Sequence, residues 1–275
     1  MGGRSPAGYK FVIILLLDLL IALHSAFAQQ TYPPTLDEIL LRLEGNLHRY
    51  QAEVPNFFCS EHVVSLLVYG KNHQSTVTDS IFRLRRTLEP GRAATLGESR
   101  EIQAVNGTPT EQKQIDGPLI VTGVFSGGLD TVSLSQKACM SYTLQPITPE
   151  HSGGPYIISF ATLPDNQHTS GCVLREDATG RVFINPTTMQ VTRMELTAPH
   201  HTIMPALVGV WHISVDYAPV LLGGQTFWMP ATITSRADPS AADDPDVWWF
   251  KANYTNYHKL EVDSHILPSK RLPAP

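Results

Sequence analysis

Histidines supply the side chains in this sequence that most resemble a metal-ligand set. The candidate group is His200, His201 and His212. Adjacent residues on an extended chain point to opposite faces, so His200 and His201 are poorly placed to share one ion. Because the chain contains 11 histidines, some are expected to lie near one another by chance. We therefore predict no metal site and no cofactor.

Nucleophilic and acid–base catalysis would need other groups, and the sequence offers only parts of them. FSGGLD at 125–130 places a serine before two glycines, but it lacks the G-x-S-x-G pattern of a nucleophile elbow, and loop glycines explain it better. Glu195 and Asp216 fall on neighbouring predicted strands, where a glycosidase pair and solvated surface charges are both open interpretations. The sequence favours surface charges. We predict that the protein is not an enzyme, with a hydrolase as the remaining alternative.

The N-terminal 28 residues have the three parts of a secretory signal peptide. A basic start is followed by an apolar run over 11–23 and by the small-x-small sequence Ala26-Phe27-Ala28. Cleavage after Ala28 predicts an exported protein, periplasmic or extracellular, that is at most peripheral to a membrane. An uncleaved membrane anchor is the alternative, although the run is short for a span and contains a carboxylate.

Charge and cysteine content restrict the partners and the covalent chemistry. The formal net charge is −5 at pH 7, which makes nucleic acid an unsuitable partner because phosphate binding needs clustered lysine and arginine. Cys59, Cys139 and Cys172 fit no zinc-binding spacing. In an oxidising compartment two of them can form a disulfide. We favour Cys139 with Cys172, because both fall in adjacent predicted strands.

The hydrophobic periodicity predicts one amphipathic helix followed by a long β-rich region. TLDE at 35–38 can form a capping box, apolar residues then recur at helical spacing, and Pro55 ends the pattern, so we predict a helix over about 35–53. From about 57 to 266, segments of strand composition alternate with turn signals. The mature chain, 29–275, is therefore predicted to be a single domain.

The stretch RVFINPTTMQVTRMEL, residues 181–196, illustrates the strand pattern, and we predict that it forms a hairpin. Its second strand alternates, with Thr192, Met194 and Leu196 on the buried face and Val191, Arg193 and Glu195 on the solvated face. A later strand likewise places Trp211, Ile213, Val215 and Tyr217 on one face. GCVLRE at 171–176 is predicted to be a further strand. Consecutive antiparallel neighbours are the default for such a series, which predicts a meander.

The order of these elements resembles that of the LolA/LolB-like lipoprotein-localisation proteins of the bacterial envelope. Four phrases are similar to acidobacterial-type exported envelope proteins: VPNFFCSE (54–61), GRVFINPTTMQVTRMEL (180–196), VDYAPVLLGGQTFWMP (215–230) and NYTNYHKLEVDSHI (253–266). The resemblance implies an α+β, β-rich fold. It consists of a curved antiparallel half-barrel sheet with the N-terminal amphipathic helix packed on its concave face.

The same resemblance implies a groove that shields a lipid or a lipoprotein acyl chain. Candidate lining residues are Met194, Trp211, Ile213, Phe227 and Met229. A packed core beneath the helix is the alternative interpretation of each of them, and a non-catalytic envelope scaffold is the corresponding alternative function. Apolar pockets with few polar groups are typical ligand sites, which keeps the groove interpretation open.

Overall fold

A computed structural model describes residues 33–69, 71–88, 95–111, 123–146, 153–164, 171–204, 207–239 and 247–260. Contacts between Cα atoms divide the chain into two units, Met1–Thr35 and Leu36–Pro275. In the first unit only residues 33–35 are described, so the predicted signal peptide and its cleavage site lie outside the described residues. Within the described ranges, no helix has the length and apolar character needed to cross a membrane.

The second unit is built mainly from strands. Its long helix, α1, spans Leu36–Glu53, and a short helix, α2, spans Val124–Gly127. Two 3₁₀ turns follow α2, at Gly128–Val132 and Leu134–Ala138. The strands are β1 (Phe57–Tyr69), β2 (Asn72–Thr87), β3 (Thr95–Val105), β4 (Thr108–Pro109), β5 (Met140–Leu144), β6 (Tyr156–Thr162), β7 (Thr179–Ile184), β8 (Val191–Met204), β9 (Leu207–Leu222), β10 (Gln225–Pro239) and β11 (Val247–Lys259).

Helix α1 forms where the sequence predicts it, because its apolar residues recur on one face. That face is buried and consists of Ile39, Leu40, Leu43, Leu47 and Tyr50. Asp37 and Glu38 lie in the first turn, where carboxylates interact favourably with the positive end of the helix dipole. The helix thus supplies an apolar stripe that needs a sheet to cover.

Gly45 lies in the middle of α1 on its exposed side, and an added Cβ would meet no atom within 4 Å. Gly45→Ala is therefore expected to stabilise the protein by about 0.5–1 kcal/mol, since alanine restricts the unfolded chain without a clash. Urea denaturation followed by tryptophan fluorescence measures the change. Gly123→Ala is the matched control and should destabilise the protein. Gly123 has a φ of 89°, and a residue with a side chain adopts this backbone conformation only with strain. A destabilised Gly45→Ala protein would contradict the prediction.

The strands form one open antiparallel sheet in the order β4-β3-β2-β1-β11-β10-β9-β8-β7-β6-β5. The run β5 to β11 is a meander, as predicted. Outside that run, β1 pairs with β11 instead of lying at an edge of the sheet. This pairing joins an N-terminal and a C-terminal series of hairpins, and it leaves β4 and β5 at opposite edges of the sheet.

The chain between β4 and β5 must therefore lead from one edge to the other. Its described part, residues 123–138, is named the cover segment here, and it lies against the inner face of the sheet. Phe125 packs on Phe82 and Tyr254 with ring centroids 4.5 Å and 4.8 Å apart. Gly128 packs so closely on Tyr217 that an added Cβ would lie 2.6 Å from the tyrosine hydroxyl. Helix α1 and the cover segment together overlie the inner face.

This arrangement confirms the predicted fold class, an open, β-rich half-barrel with the N-terminal helix on the concave face. Inward-facing side chains alternate along the strands as predicted: Trp211, Ile213, Val215 and Tyr217 are all buried. Their neighbours on the other side of the sheet, such as His212, face solvent. Because of this alternation, the inward-facing side chains of the strands form one continuous inner surface. The candidate site lies on that surface.

Two local predictions about the strands are wrong. Val191 was expected on the solvated face but is buried, because the β7–β8 register shifts between Phe183 and Ile184 and leaves Thr192 as the extra residue. GCVLRE at 171–176 forms no strand and runs as an irregular loop. The strand-rich region was predicted to reach about residue 266, and its part beyond residue 260 lies outside the described residues.

Candidate functional site

An open cavity of about 640 Å³ lies on the inner face of the half-barrel. Strands β8 and β9 form one wall, the cover segment forms a second, and residues 173–176, named the rim loop here, form a third. The sheet wall is apolar and consists of Met194, Leu196, Trp211 and Ile213. Charged side chains lie on the other two walls, so the cavity is amphipathic.

The structure divides the five candidate groove residues into three groups. Met194, Trp211 and Ile213 line the large cavity. Phe227 lines a separate crevice of about 50 Å³ beside helix α1. Met229 is fully buried at 0% exposure, as expected of a core residue. The sequence could not distinguish these groups, because all five occupy inward-facing positions and differ only in what covers them.

Two carboxylates fix the cover segment above the sheet. Glu98 on β3 accepts hydrogen bonds from the backbone N–H groups of Gly123 and Ser126 at 3.0 and 2.9 Å. Glu44 on α1 accepts the backbone N–H of Leu134 at 2.8 Å. Hydrogen bonds to charged acceptors are stronger than neutral ones, so the sheet and the helix both hold this segment in place.

The rim loop is attached covalently to the end of the cover segment. Cys139 and Cys172 form a disulfide, as the sequence analysis favoured, and Cys59 is a buried free thiol. The reason given for the pairing is wrong, because Cys172 lies in a loop and Cys139 directly precedes β5. Gln136 reinforces the link by donating to the Gly171 carbonyl at 3.1 Å and accepting the Val173 N–H at 3.0 Å. Two walls of the cavity are therefore tied to each other.

A buried ion pair lies on the inner face of β1 and β3. Arg100 Nε donates to both oxygens of Glu61 at 2.9 and 3.0 Å, and the Glu61 side chain is 0% exposed. Desolvation raises the pKa of Glu61, and the positive charge of Arg100 opposes that shift. Tyr254 faces the pair without a hydrogen bond of standard geometry, and the Arg100 guanidinium stacks 5.0 Å from the Phe82 ring centroid. This pair holds a polar part of the interior together.

The carboxylates considered for glycosidase chemistry are engaged by arginines on the outer face. Arg193 donates to Glu195 and to Asp216, each at 2.8 Å, and Arg181 donates to Glu195 at 2.6 Å. Although partial burial opposes the shift, the hydrogen bonds from Arg193 and Arg181 lower the pKa of Glu195. A glycosidase acid requires a raised pKa, so this pair suits surface electrostatics better than acid catalysis.

The serine and histidine candidates are also placed by the structure. The Ser126 hydroxyl donates to Glu98 at 2.8 Å, which makes it part of the contact that holds the cover segment. His212 lies on the outer face with its Nδ1 3.0 Å from the Thr197 hydroxyl. Within the described ranges, no three histidine, cysteine or carboxylate side chains lie close enough to hold a metal ion.

Comparisons with known proteins add a likeness to solved structures. No protein-family model matches this chain, and no curated protein matches it significantly. It is similar to a DUF1329 family protein from Desulfovibrio piger (8% identity, TM-score 0.38, covering 80% of this chain and 90% of that one). It is similar to a LolA superfamily protein from Nitrosomonas europaea (8%, 0.35, 82% and 94%). An outer membrane lipoprotein-sorting protein domain from Vibrio parahaemolyticus is also similar (9%, 0.36, 79% and 90%).

All three TM-scores lie below 0.5, so these similarities carry no argument about this chain. The protein from Nitrosomonas europaea carries the name of the superfamily that the sequence resemblance predicted. At such low identities and TM-scores, the alignments say nothing about a ligand, a partner or a reaction of this chain.

Several residues of the site were missed by the sequence analysis. Three of them are charged residues on the inward-facing side of their strands: Glu61 in β1, and Glu98 and Arg100 in β3. A charged residue at an inward-facing position is itself a signal of a buried ion pair. Asp130 gave no such signal, since it belongs to the short turns of the cover segment. Its position in the cavity wall depends on how that segment crosses the sheet.

Proposed function

We propose that this protein is an exported binding protein that shields an acyl chain, or a similarly apolar ligand, in the cavity between β8, β9 and the cover segment. The observation that carries this proposal is the open cavity of about 640 Å³ above an apolar sheet wall. Pockets for small ligands have volumes of about 300–1,000 Å³ and are mostly apolar with a few polar groups. The cavity falls within that range.

The chemistry of the sheet wall supports an apolar ligand. The Trp211 indole N–H donates to the Ser235 hydroxyl at 2.7 Å, so its polar atom is satisfied within the protein. The remaining surface of that wall consists of Met194, Leu196 and Ile213, which have no strong hydrogen-bonding group. Covering such a wall with an apolar ligand is favourable because it removes apolar surface from water. The wall offers few hydrogen-bonding groups to a polar ligand.

The rigidity of the cavity also supports binding. Glu98 and Glu44 fix the cover segment, and the disulfide between Cys139 and Cys172 fixes the rim loop to it. A preformed cavity loses less conformational entropy when it binds a ligand than a flexible one does. In an exported protein the disulfide is stable against reduction, so it keeps the rim loop fixed to the cover segment. The ligand that we propose for this fixed cavity is a lipid or a lipoprotein acyl chain.

Gly127→Phe should weaken binding strongly. Gly127 lines the cavity in a right-handed conformation, with φ −101° and ψ −6°, and an added Cβ would meet only the Asp130 carboxylate at 3.9 Å. A phenylalanine side chain there has room to enter the cavity and occupy part of its volume. Delipidated wild-type protein is expected to raise the fluorescence of N-phenyl-1-naphthylamine, and the variant is expected to bind it at least about tenfold more weakly.

Gly45→Phe is the matched control, since it makes the same substitution on the exposed face of α1, where an added Cβ meets nothing within 4 Å. It should bind the probe as the wild type does. The proposal is wrong if delipidated wild-type protein leaves the probe fluorescence unchanged, or if Gly127→Phe binds the probe as tightly as Gly45→Phe. A thermal melt of each variant distinguishes occlusion of the cavity from unfolding.

A non-catalytic scaffold is the second candidate function, and one observation favours it. Phe227 and Met229, which the sequence suggested as groove residues, are 6% and 0% exposed and contribute to a closed core. A scaffold of this kind would leave the probe unbound while presenting an outer surface to partners. The probe experiment therefore separates the two functions.

A further inference from the structure

Asp130 is a negative charge without a positive partner in the wall of an apolar cavity. Its Oδ1 accepts a hydrogen bond from the Gln51 side-chain amide at 3.2 Å. Its Oδ2 lies on the side of Gly127, which lines the cavity as Asp130 does. Among the residues that the structure describes, no lysine, arginine or histidine pairs with this carboxylate, and Oδ2 accepts no hydrogen bond.

The elements packed around Asp130 add no compensating charge. Helix α1 contributes Gln51, the Glu44 carboxylate and the buried phenol of Tyr50, and β9 contributes the buried phenol of Tyr217. Burial raises the pKa of Asp130, the Gln51 hydrogen bond opposes this, and Glu44 adds to it. The hydroxyls of Tyr50 and Tyr217 are themselves buried without a hydrogen-bond partner in the described part of the chain. A half-buried carboxylate in such surroundings is stabilised by a cation that approaches from the cavity.

The rim loop does not reverse this balance. Arg175 and Glu176 both line the cavity, and together with Asp130 they give it one positive and two negative side chains. Arg175 is exposed to solvent, whereas Asp130 Oδ2 lies 3.9 Å from the position that a Cβ on Gly127 would take. Asp130 Oδ2 therefore faces the cavity opposite an apolar sheet surface and has no positive partner among the described residues.

We propose that Asp130 makes the cavity selective for an amphiphile with a protonated amine head group. The ammonium pairs with Asp130 Oδ2, and the alkyl chain lies on the wall formed by Met194, Leu196, Trp211 and Ile213. This inference rests on the proposed function, since it names the head group of the ligand whose chain the cavity shields. The interaction is a charge-assisted hydrogen bond to a half-buried carboxylate, and partial burial strengthens such a bond relative to one in water.

The test uses decylamine, decanol and decanoate, which share one alkyl chain and differ in charge. Each displaces N-phenyl-1-naphthylamine from the delipidated full-length mature protein at neutral pH, below its aggregation concentration. We expect decylamine to bind about tenfold more tightly than decanol, and decanoate to bind more weakly than decanol. Asp130→Asn keeps the shape of the side chain and its contact with Gln51, and it should bring decylamine and decanol to within about twofold of each other.

Two control variants locate the effect. Asp216→Asn removes one negative charge from the outer face of β9, where Asp216 pairs with Arg193, and should keep the full preference for decylamine. Glu176→Gln removes the other carboxylate of the cavity and should keep most of the preference. A preference that survives Asp130→Asn but disappears with Glu176→Gln overturns the assignment to Asp130.

The outcomes for the inference and for the proposed function are distinguishable. Equal binding of decylamine and decanol by the wild type overturns the inference and leaves the proposed function standing. No binding of any of the three amphiphiles overturns both. If Asp130→Asn fails to fold, lowering the pH of the wild-type experiment replaces it. Decylamine stays charged, so its preference should be present above the pKa of Asp130 and lost as the pH falls through it.

Discussion

Arg100→Met is expected to destabilise the protein by about 3–5 kcal/mol, because it leaves the Glu61 carboxylate buried without its counter-charge. The Glu61 side chain is 0% exposed and accepts both of its hydrogen bonds of 2.9 and 3.0 Å from Arg100 Nε. Methionine preserves much of the apolar stem of Arg100. It removes the guanidinium that stacks 5.0 Å from the Phe82 ring centroid, but the lost charge dominates the effect. Urea denaturation, followed by tryptophan fluorescence, measures the free energy of unfolding.

Arg236→Met provides the matched control. Arg236 forms an ion pair with Asp238 at 2.7 Å, but its side chain is 56% exposed, and exposed pairs contribute about 0–1 kcal/mol. The same substitution should therefore have a small effect at this position. If Arg100→Met costs no more than Arg236→Met, the interior pair contributes nothing particular to stability.

The pH dependence of Arg100→Met gives an independent check. Desolvation already raises the pKa of Glu61, and loss of the opposing Arg100 charge raises it further in the variant. A carboxyl whose folded-state pKa is raised contributes stability at low pH that is lost as the pH rises through that pKa. The stability difference between the wild type and the variant should therefore shrink as the pH falls through the raised pKa of Glu61 in the variant. A difference that grows on acidification would contradict this explanation.

Gly180→Ala is expected to cost about 3 kcal/mol or more, because no space exists for a side chain at this point of the sheet. Gly180 lies in β7 between Phe160 of β6 and Leu196 of β8. An added Cβ would clash with the Phe160 ring and with the backbone carbonyl of Glu195, and a backbone atom in a central sheet has little freedom to move. Thermal and urea denaturation both report the loss.

Gly97→Ala is the control for strand glycines. Gly97 lies in β3, and its added Cβ would meet only the Arg85 carbonyl at 3.8 Å, an ordinary contact. This variant should be neutral or slightly stabilised, because alanine reduces the entropy of the unfolded chain. Similar stabilities for Gly97→Ala and Gly180→Ala would show that the Phe160 ring moves away at little cost.

The sequence predicted helix α1 and the faces of β9 correctly because both depend on local periodicity. The stripe from Ile39 to Tyr50 and the alternation from Trp211 to Tyr217 are each buried as the pattern indicates. The same alternation failed at Val191, since a bulge adds one residue and reverses the faces beyond it. A bulge depends on the register between two strands, which the pattern of one strand does not contain.

The candidate site was predictable only in part. Met194, Trp211 and Ile213 were identified as inward-facing, but Phe227 and Met229 were indistinguishable from them until the cover segment was placed. That segment has glycines and short turns instead of a periodic pattern, so its path across the sheet left little trace in the sequence. Asp130 belongs to the same segment, so its position in the cavity wall also left little trace in the sequence.

By itself, the sequence determined the helix, the strands and the inward-facing side of most strands, because each follows from a repeat of a few residues along the chain. The pairing of β1 with β11, the crossing of residues 123–138 over the inner face and the partners of Glu61 and Glu98 were decided only in the tertiary structure. They join residues far apart in the sequence, and such contacts are selected by the packing of the whole domain. The cavity and the charge of its wall result from those long-range contacts.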